Sequence, residues 1–313
     1  MTRTGMQLMR RPGGNPRGFP GQSVVTIGTF DGVHVGHQRI LRRVLEKARA
    51  RNLPAVVFSF EPTPGEFFSR GAPPARLTRF REKFEALEQF GVDWLFCPPF
   101  DAGMEALGPD EFIERLLVEC LGVKYLVVGD DFRFAKNRRG TIDSLRDGGK
   151  QLGFSVEQVP SVLEEGHRVS STKIRELLAD GELDRAKKLL GRYYRMTGRV
   201  IDGQKLGKQL GFPTANVNLS RAASPIGGIF AVRVDGLGPA LLNGVASVGT
   251  RPTVDGVEPV LEVHIFDFDQ DIYGAYIQVE FIAKLREEVK FPDLRSLTEQ
   301  MHIDAAEARE ILS

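Results

Sequence analysis

"SVVTIGTFDGVHVGH" occupies residues 23–37. Its first part is an apolar run, and the remainder, "GTFDGVHVGH" (28–37), packs three glycines, one aspartate and two histidines into ten residues. A buried strand that breaks at Gly28 and restarts as a helix near Gly36 offers free backbone N–H groups to an anion. Histidines at such a turn can donate hydrogen bonds to phosphate oxygens and stabilise charge as a phosphoryl bond breaks. A glycine-rich turn with two incidental histidines is the alternative. Two of the five histidines in the chain fall here, in H-x-G-H order, which favours a phosphate site.

Outward from this stretch, short apolar runs alternate with helical patterns. "PAVVFSF" (54–60), "DWLFC" (93–97), "KYLVVG" (124–129) and "FSVEQVP" (154–160) read as further strands. Ile40, Leu41, Val44, Leu45 and Ala48 form one stripe at helical spacing, and Phe80, Phe84, Leu87 and Phe90 form another. In "GPDEFIERLLVECLG", Pro109 stands where a first-turn proline belongs and Gly122 closes the pattern. Five strands interleaved with helices predict an α/β doubly wound parallel sheet. Ligands of such sheets bind beyond the carboxyl ends of the strands.

From about residue 192 the texture changes. "YYRMTGRVI", "GIFAVRV", "PALLNGVASVG", "PVLEVHIFDF" and "AYIQVEFIAKL" are strand-like, and a helical tail follows. They predict a β-barrel with a C-terminal helix, joined to the first half through the helical "GELDRAKKLLG" (181–191). A chain of 313 residues suits two domains, since single cores stop growing near roughly 250–300 residues. The expected boundaries are a flexible arm over 1–22, a first domain over 23–187 and a second over 188–313. The arm is basic and rich in Gly and Pro, without the apolar stretch of a signal peptide. No run approaches the roughly 18 apolar residues of a membrane span, so a cytoplasmic protein is expected. The net charge of +1 gives no global field for nucleic acid. Cys97 and Cys120 read as buried thiols, and neither has a second cysteine at zinc-ligand spacing.

"GTFDGVHVGH" resembles the signature of the nucleotidyltransferase superfamily. More narrowly, it resembles the bacterial bifunctional riboflavin kinase/FMN adenylyltransferase (FAD synthetase) family. The resemblance implies ATP contacts from Gly28, Phe30, Asp31 and Gly36, with His34 and His37 catalytic. Partner motifs follow in family order. "FEPTPGEFF" (60–68) has Thr63 where the family usually has histidine. "VVGDDFRFAKNRRG" (127–140) resembles the flavin- and metal-associated loop, which implies Asp131, Phe132 and Arg133 on the flavin and Asp131 on Mg²⁺. A turn or helix cap is the other reading of Asp130 and Asp131. Ala135 replaces a common glycine, a departure that matters where the backbone is left-handed. "RVSSTKIRELL" (168–178) can cap its helix through Ser170, Ser171 or Thr172. By resemblance it also grips ATP phosphates through Arg168, Ser171, Thr172 and Arg175. The implied reaction is attack of the FMN phosphate on the α-phosphorus of ATP. That nucleophile is already ionised, its second pKa being about 6, so no strong base is required.

In the second half, "GQKLGKQLGFPTANVNL" (203–219) is not a Walker motif, but "GFPTAN" resembles the riboflavin kinase signature. The resemblance implies ATP contacts from Gly203, Lys208, Gly211, Pro213, Thr214 and Asn216, with Thr214 and Asn216 also on Mg²⁺. A Pro-initiated turn closed by Asn216 is the structural alternative. In "LEVHIFDF", alternation from Leu261 sends Glu262 and His264 to one face and Val263 and Ile265 to the other. Glu262 alone reads as the solvent side of a strand. The resemblance makes it the catalytic base that an alcohol nucleophile needs. "LREEVKF" (285–291) adds Arg286 as a flavin-side contact. The implied ligands are Mg²⁺, ATP, riboflavin, FMN and FAD, with no nucleic acid, no membrane and at most weak self-association. A catalytically inactive flavin-binding relative would have lost Glu262, Asn216 or His37, and all three are present. A class I aminoacyl-tRNA synthetase-like enzyme shares the H-x-G-H logic but calls for an RNA-binding domain and a basic surface.

Overall fold

The computed structural model describes residues 5–11, 19, 21–203, 207, 210–253 and 256–313. These divide into two compact units, Met1–Pro74 with Phe80–Val169, and Ala75–Arg79 with Ser170–Ser313.

The first unit is built on a sheet of β1 (Gln7–Met9), β2 (Ser23–Ile27), β3 (Ala55–Phe58), β4 (Trp94–Phe96), β5 (Val123–Gly129) and β6 (Ser155–Val159). The order is β1-β4-β3-β2-β5-β6, with every pair parallel. All residues of β2, β3 and β4 are buried, because helices cover both faces of such a sheet. The helices are α1 (Val35–Arg51), α2 (Pro64–Phe67), α3 (Phe80–Phe90), α4 (Ala102–Ala106), α5 (Pro109–Glu111) and α6 (Ile142–Leu152), with α5 running into a π-helical stretch Phe112–Cys120. Leu41, Val44, Leu45 and Ala48 of α1 are buried, as their spacing predicted. After β2 the chain adds β3 and β4 on one side, then crosses to β5 on the other. The sheet therefore has its topological switch point between β2 and β5, where a ligand crevice opens. A hairpin, β7 (Leu163–Glu164) with β8 (His167–Arg168), closes the unit.

One expectation is corrected. Residues 7–9, placed in a flexible arm, pair with β4 as a parallel edge strand, and Met6, Met9 and Phe19 are buried. The rest of the arm, residues 1–4, 12–18 and 20, lies outside the described residues. Three residues in a basic, Gly- and Pro-rich context carry no periodicity, so only the docked partner reveals the strand.

The second unit begins with α7 (Ser171–Ala179) and α8 (Leu183–Leu190). A closed antiparallel barrel follows, made of β9 (Tyr194–Ile201), β10 (Ala215–Asn218), β11 (Gly228–Asp235), β12 (Leu242–Thr253), β13 (Gly256–Ile265) and β14 (Tyr276–Arg286), in the order β10-β13-β12-β11-β14-β9. Leu261, Val263 and Ile265 fill its interior while Glu262 faces solvent, following the alternation in sequence. The terminal helix α9 (Leu294–Leu312) packs Ala308 and Leu312 against Ala231 and Phe266. In place of the alternative turn closed by Asn216, "PTAN" leads into β10, which joins β9 to β13 and closes the barrel.

Closure constrains Gly198 on β9. A Cβ there would overlap the Asn218 carbonyl and a Val217 methyl of β10. Gly198→Ala should destabilise the barrel by about 1–3 kcal/mol through overpacking, measured as a lowered urea midpoint; an unchanged midpoint would show that β10 yields without cost.

Candidate active sites

In the first unit, β2 ends in a turn of unusual backbone. Phe30 (φ 51°), Gly32 (φ 82°) and Val33 (φ 44°) all have positive φ. Phe30 and Val33 tolerate it because they are almost wholly buried and packing over-determines their conformation. The turn delivers His34 to the N-cap of α1, where its Nδ1 accepts the His37 backbone N–H at 3.3 Å. The two imidazoles stack with centroids 3.6 Å apart and planes 16° from parallel. Gly36 eases this stacking, since a Cβ there would lie 3.1 Å from the His34 ring, close enough to push it aside.

His37 Nδ1 is shut from solvent without a hydrogen-bond partner among the described residues. Burial first, then the neighbouring His34, Lys83 and Arg168, hold His37 well below the usual histidine range. The ring is set among cationic groups at the carboxyl end of β2. Such an arrangement suits an anionic ligand.

Lys83 was not singled out from the sequence. It is 4% exposed, and its Nζ donates to the Thr29 carbonyl at 3.3 Å and to Ser59 Oγ at 3.2 Å. Its ammonium thus lies beneath the turn that follows β2. The signal was present: Lys83 stands three residues after Phe80 and four before Leu87, on the apolar stripe of α3, where a solvated lysine would not belong.

Across the switch point, Asp131 follows β5 and pairs with Arg168 at 2.6 Å. The structure thus brings together a residue expected on the metal and one expected on the phosphates. Asp130 has a different task. It accepts the Ser161 N–H at 2.8 Å and the Ser161 hydroxyl at 2.6 Å. Burial works to raise its carboxyl, but these bonds and Arg168 outweigh it and hold it below the usual range. Phe132 stacks on Phe134 with centroids 5.8 Å apart, whereas Arg133 is exposed. Thr63, the departure from the family histidine, caps α2: its hydroxyl and N–H form a reciprocal capping box with Glu66.

The "SSTKIR" segment opens the second unit. Ser170, of the three hydroxyls considered, is the cap of α7, accepting the Lys173 N–H at 3.2 Å. Ser171 and Thr172 lie in the first turn, and Arg175 Nε donates to the Ala75 carbonyl at 2.6 Å.

On the barrel surface, strand register aligns the chemistry. Asn216 of β10 pairs directly with Glu262 of β13, and Glu262 pairs with Ser247 of β12. Three polar side chains therefore stand side by side on the outer face. Gly203 presses on the Asn216 amide, leaving no room for a Cβ. The "GFPTAN" loop is seated by Phe212, which is buried and meets the rings of His264 and His302. The Pro213 carbonyl lies 2.9 Å from His264 Nδ1. Thr214 is half-buried ahead of β10, Gly211 and Pro213 are exposed, and Lys208 lies outside the described residues.

Glu262 still meets solvent, yet crowding by the protein lifts its carboxyl above the ordinary range. Arg251 opposes that rise and Glu288 adds to it. Glu288, another residue the sequence reading passed over, accepts from Ser247 Oγ at 3.1 Å. It also lines a cavity of 460 Å³ with Gly227, Gly228, Gly249, Thr250 and Glu287.

Two folds, two nucleotide motifs and a carboxylate beside an asparagine now stand in one chain. The FAD synthetase family model matches residues 18–173 and the riboflavin kinase model residues 190–312. The Escherichia coli (strain K12) protein named bifunctional riboflavin kinase/FMN adenylyltransferase is 48% identical over 287 residues, 92% of each chain. The chain belongs to this bifunctional riboflavin kinase/FMN adenylyltransferase family. Its Haemophilus influenzae relative of the same name is 45% identical over 304 residues, 97% of this chain and 98% of the other. A solved structure described as a macrolide-efflux protein from Streptococcus pneumoniae is 32% identical, with a TM-score of 0.83 over 96% of this chain and 97% of that one.

The family departure at Ala135 has a measurable consequence. Its backbone, φ 61° and ψ −175°, lies in a region almost reserved for glycine. Ala135→Gly should raise stability by about 1 kcal/mol, strain relief exceeding the added chain entropy. Urea unfolding reads it, and a lowered midpoint contradicts the strain.

Proposed function

We propose that the barrel unit phosphorylates riboflavin to FMN and that the first unit adenylylates FMN to FAD and pyrophosphate. The observation that carries the reading is the register pairing of Asn216 with Glu262, which sets a nucleotide-side amide beside the one carboxylate of that polar row. Glu262 takes the proton of the riboflavin 5′-hydroxyl, and its lifted carboxyl makes it a better base than a fully solvated glutamate. Gly203, Gly211, Pro213 and Thr214, with Lys208, hold ATP. In the first unit His34 and His37 face the ATP phosphates from the start of α1. Arg168 supplies a further donor, and Phe132 and Arg133 take the flavin. The FMN phosphate attacks as an anion, so positioning and charge stabilisation are the tasks of these residues.

The donors present fit Mg²⁺. Thr214 and Asn216 offer hard oxygens, with Gly203 leaving the amide its space, and Asp131 offers a carboxylate. Bound Mg²⁺ neutralises phosphate charge. Among the described residues no helix is long and apolar enough to cross a membrane. We place the protein in the cytoplasm, acting on small molecules without nucleic acid and with at most weak self-association.

Incubation with riboflavin, MgATP and pyrophosphatase should yield FMN first and FAD later. No FMN from folded protein overturns the kinase assignment, and FMN without FAD overturns the transferase assignment. Glu262→Gln should abolish FMN formation while supplied FMN still becomes FAD, and His37→Ala should do the reverse.

The kinase pH profile gives a separate check. A base must be ionised, so a raised carboxyl moves the acid limb of kcat/KM to higher pH. Glu288→Gln removes a like charge and should move that limb down by about half a pH unit, whereas Arg251→Gln should move it up. A limb indifferent to both substitutions belongs to another group.

A further inference from the structure

The terminal helix carries a buried acid that neither candidate site uses. Asp304 of α9 is 4% exposed, a position where an unpaired carboxylate would be costly. It is fully engaged. Arg286 Nε donates to Oδ1 at 2.9 Å and to Oδ2 at 3.2 Å, Arg286 Nη2 donates to Oδ2 at 2.7 Å, and Gln300 Nε2 donates to Oδ1 at 2.9 Å. The remaining nitrogen, Arg286 Nη1, donates to the Glu287 carbonyl at 3.0 Å. The guanidinium also lies 5.6 Å from the Phe291 ring centroid. Every nitrogen of Arg286, expected on the flavin, is thus used within the protein.

These bonds converge where β14 ends. The Arg286 carbonyl is seated on Gly228 of β11, where a Cβ would come within 2.5 Å of it. The next two residues, Glu287 and Glu288, wall the 460 Å³ cavity. Glu288 then reaches Ser247, the direct neighbour of Glu262. A bidentate fork fixes orientation as well as distance, so the helix acid dictates how the chain leaves β14.

We propose that Asp304 is a positioning residue of the kinase centre: it locks Arg286, and Arg286 holds residues 287–288 as the cavity wall beside Glu262. This rests on the kinase assignment above. Arg286 serves that centre as a strut, and the terminal helix becomes part of the substrate site while remaining outside the barrel.

Asp304→Asn keeps the shape and removes the charge. The riboflavin KM should rise about tenfold while kcat changes less than about threefold. Conversion of supplied FMN to FAD should be unchanged, and Asp304→Glu should recover part of the lost affinity. A purely structural Asp304 would instead lower Tm and leave the riboflavin KM of the folded variant within about twofold of wild type; that result overturns the proposal. If Asp304→Asn does not fold, Gln300→Ala decides, since it keeps the ion pair and removes one bond to it. A KM rise of about two- to threefold supports positioning, and an unchanged KM refutes it. Failure of the kinase assignment is seen separately, as wild-type protein that makes no FMN.

Discussion

The polar row on the barrel's outer face depends on the register of one short strand. β10 has only four residues, yet it closes the barrel between β9 and β13 and sets Asn216 opposite Glu262. Side chains alternate faces along a strand, so a slip of one residue would turn Asn216 into the barrel and Val217 out of it. Val217 is buried and Asn216 half-buried, which ties the register to core packing. Gly198 and Gly203 admit the close approach that this pairing needs. A hydrophobic constraint inside the barrel thereby fixes a polar arrangement outside it.

The first unit solves its positioning problem by topology. Reversal of strand order between β2 and β5 opens a crevice, and each of those two strands ends in a loop that holds candidate site residues. The turn after β2 holds residues in left-handed conformations that only dense packing sustains. What that strain supports is a stacked histidine pair with a buried lysine beneath. The ion pair of Asp131 with Arg168 balances charge across the crevice.

Much of this was legible in the residues. Long elements with clear periodicity, such as α1, α3 and the inner face of β13, stand where spacing placed them. The motifs drew attention to the ends of β2 and β5, where several of their residues also serve the fold: His34 caps α1 and Asp130 holds Ser161. What escaped was short or long-range. Three residues of β1 and four of β10 carry no periodic signal, so neither strand shows until its partner is known. Asp304 looks like any helix carboxylate until Arg286, 18 residues earlier, folds against it. Lys83 was hidden differently, as a charge on an apolar stripe that the pattern of its neighbours obscured. The split at Val169/Ser170 also groups α7 and α8 with the barrel, a matter of packing that sequence texture does not report.

We propose that Asn216 and Glu262 act as one unit because the barrel holds them in register. A double-mutant cycle on riboflavin phosphorylation, with Asn216→Ala, Glu262→Gln and the double variant, tests it most directly. Residues that act together are grossly non-additive, so the double variant should lose about as much activity as the more damaging single one. Losses that multiply independently would contradict the claim.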